Sequence, residues 1–140
     1  MELRDDKDGW NLRMREGLVQ LIQIDFRIGL LLSDSSGQAQ LHIETPCRLK
    51  SPEADLVLTP TNSLSLAPLL GLFNSAVNSL VIKKTGQLTI EFDRYRTLEV
   101  DPSGAYEAWQ LGCSNGIMLV CSPGGKVAVF RQPARADKGT

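Results

Sequence analysis

Between Gln87 and Phe92 the chain alternates without a break. Leu88, Ile90 and Phe92 are apolar, while Gln87, Thr89 and Glu91 are polar. A strand turns successive side chains to opposite faces, so a period of two reads as a strand buried on one face. The same period recurs at Trp10, Leu12 and Met14, and again at Ala39, Leu41 and Ile43. Turn-forming clusters separate such runs: Asp34-Ser-Ser-Gly37, Asp101-Pro-Ser-Gly104, Cys113-Ser-Asn-Gly116 and Ser122-Pro-Gly-Gly125. Gly supplies positive φ, Pro presets φ, and Asp, Asn and Ser bond their own backbone. Short strands joined by such turns pair as antiparallel hairpins. About eight or nine strands are expected. Ile28 to Ser33 is nearly all apolar, which suits a strand buried on both faces.

One segment breaks the period. Leu66, Leu69, Leu70 and Phe73 fall at i, i+3, i+4 and i+7, the spacing of one α-helical face. Asn62, Ser63 and Ser65 are N-cap types, and Pro68 would sit in the first turn, where its missing N–H costs nothing. Asn74 is a stop. The expected fold is therefore α+β: a mostly antiparallel β meander with one short helix near 64–74 packed on a sheet face. Residues 1–8 read as a loose charged tail, 9–131 as a single domain, and 132–140 as a disordered polar tail. The hairpin around Leu32, Gly37 and Leu41-His-Ile43 is echoed around Val81, Gly86 and Leu88-Thr-Ile90, which is compatible with duplication or with two similar hairpins.

Size and charge bound the function. A chain of 140 residues buries roughly two-thirds of its extended surface, enough for a core without staples. Fifteen Lys and Arg against sixteen Asp and Glu leave a formal charge of −1, which offers no attraction to nucleic acid or anionic membrane. The first residues, Met-Glu-Leu-Arg-Asp-Asp-Lys-Asp, hold no apolar secretory core, and the apolar run Ile28 to Leu32 is far short of the ~20 residues of a membrane span. A cytoplasmic setting follows. Cys47, Cys113 and Cys121 lack Cys-x-x-Cys spacing and read as small core residues in a reducing compartment, with Cys113 and Cys121 the one pair placed to face each other across a hairpin.

The catalytic motifs are thin. Gly112-Cys-Ser-Asn-Gly116 matches the nucleophile-elbow pattern, but that chemistry needs a helix after the Ser and a His beside it. Ile117 onward reads as strand, and the single His, His42, lies on the polar face of another hairpin. One His with scattered Cys does not make a metal set. Ser122-Pro-Gly-Gly-Lys126 lacks the leading Gly and following helix of a phosphate loop, and Asp5-Asp-Lys-Asp8-Gly9 lacks the closing Glu of a calcium loop. No cofactor is expected.

Tyr106-Glu-Ala-Trp109-Gln-Leu111 offers more. Alternation sets Glu107 on the face of Trp109 and Leu111, where Arg94 or Arg96 would be its partner, unless Glu107 lies at a strand edge in water. Trp109 reads as a core anchor. Tyr106, Glu107, Trp109, Arg94 and Arg96 are the candidate binding residues. The thin titratable inventory, the near-zero charge and the sheet edges left by a hairpin-rich domain point to a non-enzymatic interaction module acting through a protein surface, immunity-like or adaptor-like, whose partner is a protein, a second copy of itself included. The alternative is a small-ligand binder or an unrecognised enzyme using carboxylates such as Glu91, Asp93 and Glu107.

Five motifs, Ile43-Glu-Thr-Pro-Cys-Arg-Leu49, Leu66-Ala-Pro-Leu-Leu-Gly-Leu72, Leu98-Glu-Val-Asp-Pro102, Tyr106-Glu-Ala-Trp109 and Val120-Cys-Ser-Pro-Gly-Gly125, together resemble a bacterial, mainly actinobacterial, stand-alone domain of unknown function. The resemblance runs from about Trp10 to Phe130. It implies a fold and a cytoplasmic setting, and no catalytic residues. Where that family tends to have Phe after Ile-Glu-x-Pro, this chain has Cys47, which implies a smaller core residue there.

Overall fold

A computed structural model describes residues 1–132, and the chain there is almost entirely strand. Thirteen strands form one antiparallel sheet. They are β1 (Glu2–Asp6), β2 (Gly9–Arg13), β3 (Gly17–Ile24), β4 (Ile28–Asp34), β5 (Gly37–Ile43), β6 (Cys47–Lys50), β7 (Asp55–Leu58), β8 (Ala76–Lys83), β9 (Leu88–Phe92), β10 (Arg96–Val100), β11 (Trp109–Cys113), β12 (Ile117–Cys121) and β13 (Val127–Arg131). Their order is β13-β12-β11-β5-β4-β3-β8-β9-β10-β6-β7, with β2 joining β8 and β1 joining β2.

This overturns the α+β expectation of eight or nine strands. The one helix among the described residues, Ser63–Leu72, is a 3-10 helix. Its buried residues are Leu66, Leu69 and Leu72, spaced by three, as a helix of three residues per turn requires. Leu70 and Phe73, the other half of the expected α-helical face, are 63% and 60% exposed. Two strands were hidden in the sequence. β1 lies in the charged segment read as a loose tail, where Glu2 pairs with Arg13 and Asp5 with Trp10 of β2. β6 lies between Pro46 and Pro52 and pairs with β10 and β7. Residues 133–140, most of the expected polar tail, lie outside the described residues.

The sheet closes over a single core. Inward residues from nearly every strand and the three helix leucines form one buried cluster. The closure is visible at two turns. The β8–β9 turn meets the β12–β13 turn so closely that a Cβ on Gly86 would sit 2.5 Å from the Gly125 carbonyl oxygen. In the same corner the Trp109 indole N–H donates to the Gly86 carbonyl at 2.8 Å. The echoed hairpins β4–β5 and β8–β9 diverge in their third segment. β10 stays beside β9, whereas β6 leaves β5 and joins β10.

Asp34 ties the β4–β5 turn. Its carboxylate accepts the backbone N–H groups of Arg15 (3.0 Å), Ser36 (2.8 Å) and Gly37 (3.0 Å), and the Ser36 hydroxyl at 2.8 Å. Burial by itself would raise the acid's pKa, but these donors outweigh it and hold the carboxyl far below its usual value of 3.8. A depressed folded-state pKa contributes stability that is complete above the usual carboxylate range and is lost as pH falls through the folded value. Asp34→Asn should therefore destabilise by about 1.5–3 kcal/mol at neutral pH. In urea melts its gap from wild type should narrow at pH 3. A gap that stayed constant with pH would show that Asp34 carries no such linkage.

Candidate interaction surface

The register of the sheet decides which side chains face outward. In the half built from β3, β4, β5, β11, β12 and β13, one straight row of outward residues runs Phe130, Met118, Gly112, Gln40, Leu31, Leu21. The next row runs Ala128, Val120, Gln110, His42, Gly29, Gln23. Leu18, Ser33 and Gln38 complete the face. None of these positions is Asp, Glu, Lys or Arg. His42 adds no charge at neutral pH, because burial and then the nearby Arg27 guanidinium push its pKa down. Met118 and Phe130 are 39% and 54% exposed, at the β13 end. Within the face the Gln40 Nε2 and His42 Nδ1 atoms are buried and lack a hydrogen-bond partner among the described residues.

The opposite half of the sheet is dressed differently. Its outward rows carry Arg48, Glu99, Lys50, Glu91 and Asp55. Arg48 pairs with Glu99 at 2.8 Å, and Lys50 with Glu99 at 3.3 Å. One outer face is thus an ordinary solvated surface, and the outward strand positions of the other carry no charged residue. Exposed faces stripped of charge resemble the centres of protein interfaces, where charged residues are depleted.

The five residues singled out from the sequence do not gather at one site: Arg94 and Arg96 share the β9–β10 turn, apart from Tyr106, Glu107 and Trp109. Trp109 is fully buried. Tyr106 and Glu107 precede β11 and are exposed, with Glu107 accepting from the Gln110 side-chain amide at 3.2 Å rather than from an arginine. Arg96 fastens the β9–β10 turn to the end of the 3-10 helix. Its guanidinium donates to the Asp93 carboxylate, the Gly71 carbonyl and the Ser75 hydroxyl, each at 2.7 Å. Arg94 and Tyr95 form the tip of that turn with φ of 60° and 58°, left-handed values that non-glycine residues seldom adopt. A recess at this turn gathers Glu91, Asp93, Arg94 and Arg96, while Glu107 is not part of its lining.

The other motifs resolve into turns. Ser114 stands between strands β11 and β12, and its hydroxyl accepts the Gln38 backbone N–H at 3.0 Å. His42 lies four residues further along β5. Ser122 to Lys126 is a hairpin turn closed by the Ser122 N–H to the Lys126 carbonyl at 2.8 Å. The Asp5 to Gly9 segment is the end of β1, the Lys7-Asp8 turn and the start of β2, and the Asp6 carboxylate accepts the Asp8 N–H at 2.8 Å. Cys113 and Cys121 are free thiols at opposite ends of the β11–β12 hairpin, so they do not face each other. Burial pushes the Cys47 thiol up to about 12. Among the described residues, no helix is long and apolar enough to cross a membrane.

The outward face was not singled out from the sequence, although its signal is there. Gln38, Gln40 and His42 on β5, and Gln110 on β11, are the polar halves of alternating strands, and none is charged. A model of a family of unknown function (DUF6188) matches residues 10–131. No curated protein and no solved structure matches the chain.

Proposed function

The chain belongs to that family of unknown function, and we propose that it is a non-enzymatic binding module, adaptor-like or immunity-like, that engages a protein through the uncharged outer face of β3, β4, β5, β11, β12 and β13. One observation carries this reading: no Asp, Glu, Lys or Arg stands at the outward positions of six neighbouring strands, while the outward positions of the other half carry charged residues, Glu99 pairing there with both Arg48 and Lys50. A solvated face has no reason to exclude charge, whereas the desolvated centre of an interface does. Met118 and Phe130 supply flexible and aromatic contact area at its edge.

The test is capture from the host's lysate with three proteins. The wild type should retain a stoichiometric protein. A Met118→Glu, Phe130→Glu double variant should release it while melting like wild type, because both residues are exposed. Glu99→Lys, on the charged face, should retain it. Equal retention by the double variant would sink the reading. The alternative, a small-ligand binder or carboxylate enzyme, draws support from the recess that brings Glu91 and Asp93 together. Arg96 already engages the Asp93 carboxylate there.

A further inference from the structure

The strand β3 is paired on only part of one side. Toward β4 it is matched along its length, with a bulge between Val19 and Leu21. Toward β8 the register holds only at Gly17 with Val77 and Leu18 with Ala76. Two further bonds, Val19 N–H to the Ser75 carbonyl and Asn74 N–H to the Val19 carbonyl, end the contact. From Gln20 to Ile24, no strand among the described residues lies on that side. An open edge presents a row of unpaired backbone groups to any incoming strand.

The other terminal strands are guarded against such pairing. β7 has four residues, begins with Asp55 and lies between Pro52 and Pro60. β1 carries Glu2, Arg4, Asp5 and Asp6. β13 is flanked by Lys126 and ends in Arg131, so a copy set against it brings basic groups together. Charges and prolines at edges are the devices by which sheets avoid edge pairing. Leu18 to Ile24 contains no charge, no proline and no glycine. Its apolar side chains are exposed on both faces: Leu21 on one and Ile24 on the other, at 47% and 44%. At the hairpin tip beyond it, Phe26 is 82% exposed.

We propose that the open edge of β3 is the dimer interface of this protein, pairing antiparallel with β3 of a second copy about a two-fold axis through Gln23. The occupant is a second copy because the strand is complementary to itself. In that register Ile24 lies against Ile22 of the copy on one face, twice by symmetry, and the two Gln23 amides lie together on the other. The ladder ends at Ile24, because Asp25 to Arg27 bend into the hairpin tip, where Phe26 has φ of 66°. No like charges face each other, and each protomer offers the same patch, as a closed two-fold pair requires. Directly opposed side chains in antiparallel strands have Cβ atoms about 4.5–5.5 Å apart. The interface uses the backbone edge of β3, at the opposite end of the sheet-face rows from Met118 and Phe130, so either reading can fail alone.

Light scattering tests the state and a cysteine tests the register. Wild type should show twice the 15.4 kDa chain mass. Ile24→Lys should reduce it to one chain mass while keeping a cooperative melt. In a Cys113→Ser background, which removes the one half-buried thiol, Gln23→Cys, an exposed position, should give a disulfide-linked dimer on treatment with diamide, whereas the background alone, with Cys47 and Cys121 buried, should not. A wild type of one chain mass at high concentration overturns the proposal. So does a dimer that persists in Ile24→Lys and leaves Gln23→Cys uncross-linked, since that pair forms elsewhere. A one-chain mass together with face-dependent capture of a partner would sink the dimer and leave the sheet-face reading standing.

Discussion

Trp109→Ala should melt roughly 10–20 °C below wild type or fail to accumulate as folded protein. The ring is fully buried among the core strands, on β11 between β5 and β12. Removing so large a side chain costs about 3–5 kcal/mol, through lost transfer energy and the cavity left behind. A domain of this size has only about 5–15 kcal/mol in total. The indole N–H adds a second effect, because its acceptor, the Gly86 carbonyl at 2.8 Å, belongs to a buried turn contact. Trp109→Phe keeps most of the ring but leaves that carbonyl without its indole donor, a loss of about 1–3 kcal/mol. The order wild type, Phe, Ala in a thermal melt is the expected result. Had Trp109 been an exposed binding hot spot, the Ala variant would melt like wild type and lose only a partner. An unshifted curve is therefore the outcome that defeats the core assignment.

Gly86→Ala should be comparably damaging, although it adds a single methyl group. Gly86 has φ of 98°, a conformation that an L side chain resists by about 1–2 kcal/mol. Its new Cβ would also lie 2.5 Å from the Gly125 carbonyl oxygen and 2.8 Å from the Gly125 Cα. Those are backbone atoms of a second turn, so no side chain can swing away, and overpacking of this kind costs about 1–3 kcal/mol more. Gly124→Ala is the control. It has a similar φ of 89° but open space around it, so it should show only the backbone cost of about 1–2 kcal/mol. If the two glycines gave equal shifts, the close approach of the β8–β9 and β12–β13 turns would not matter to stability. Gly86→Ala and Trp109→Phe perturb the same corner, so their effects should not add.

Neighbouring residues carried much of the architecture. The alternation at β5 and β9 names the strand and its buried face, because side chains on a pleated strand must alternate. Turn clusters place the hairpins β4–β5, β11–β12 and β12–β13 where they occur. The 3-10 helix shows where that reading stops. Leu66, Leu69, Leu70 and Phe73 satisfy the α-helical spacing on paper, and Leu66, Leu69 and Leu72 satisfy the 3-10 spacing equally well. Packing against the core selects the second set. β1 and β6 escaped for a related reason. A charged strand such as β1 becomes a strand only because β2 offers it backbone partners, and its own residues bury almost nothing.

The sequence by itself determined that this is one sheet-forming chain of hairpins, near neutral in charge, with Trp109 as an anchor. Those properties follow from residue type and local spacing. Tertiary structure alone decided which strands are neighbours, and so which outward residues share a face. The uncharged surface is assembled from β3, β4 and β5 together with β11, β12 and β13, segments separated in the chain by more than half of the domain. Periodicity says that Gln40, Gln110 and Met118 point out of their strands. It cannot say that hydrogen-bond register sets Gln40 against Gly112 and Gly112 against Met118. The open edge of β3 has the same origin, since an edge is a strand whose partner has turned away, and that is a property of the sheet.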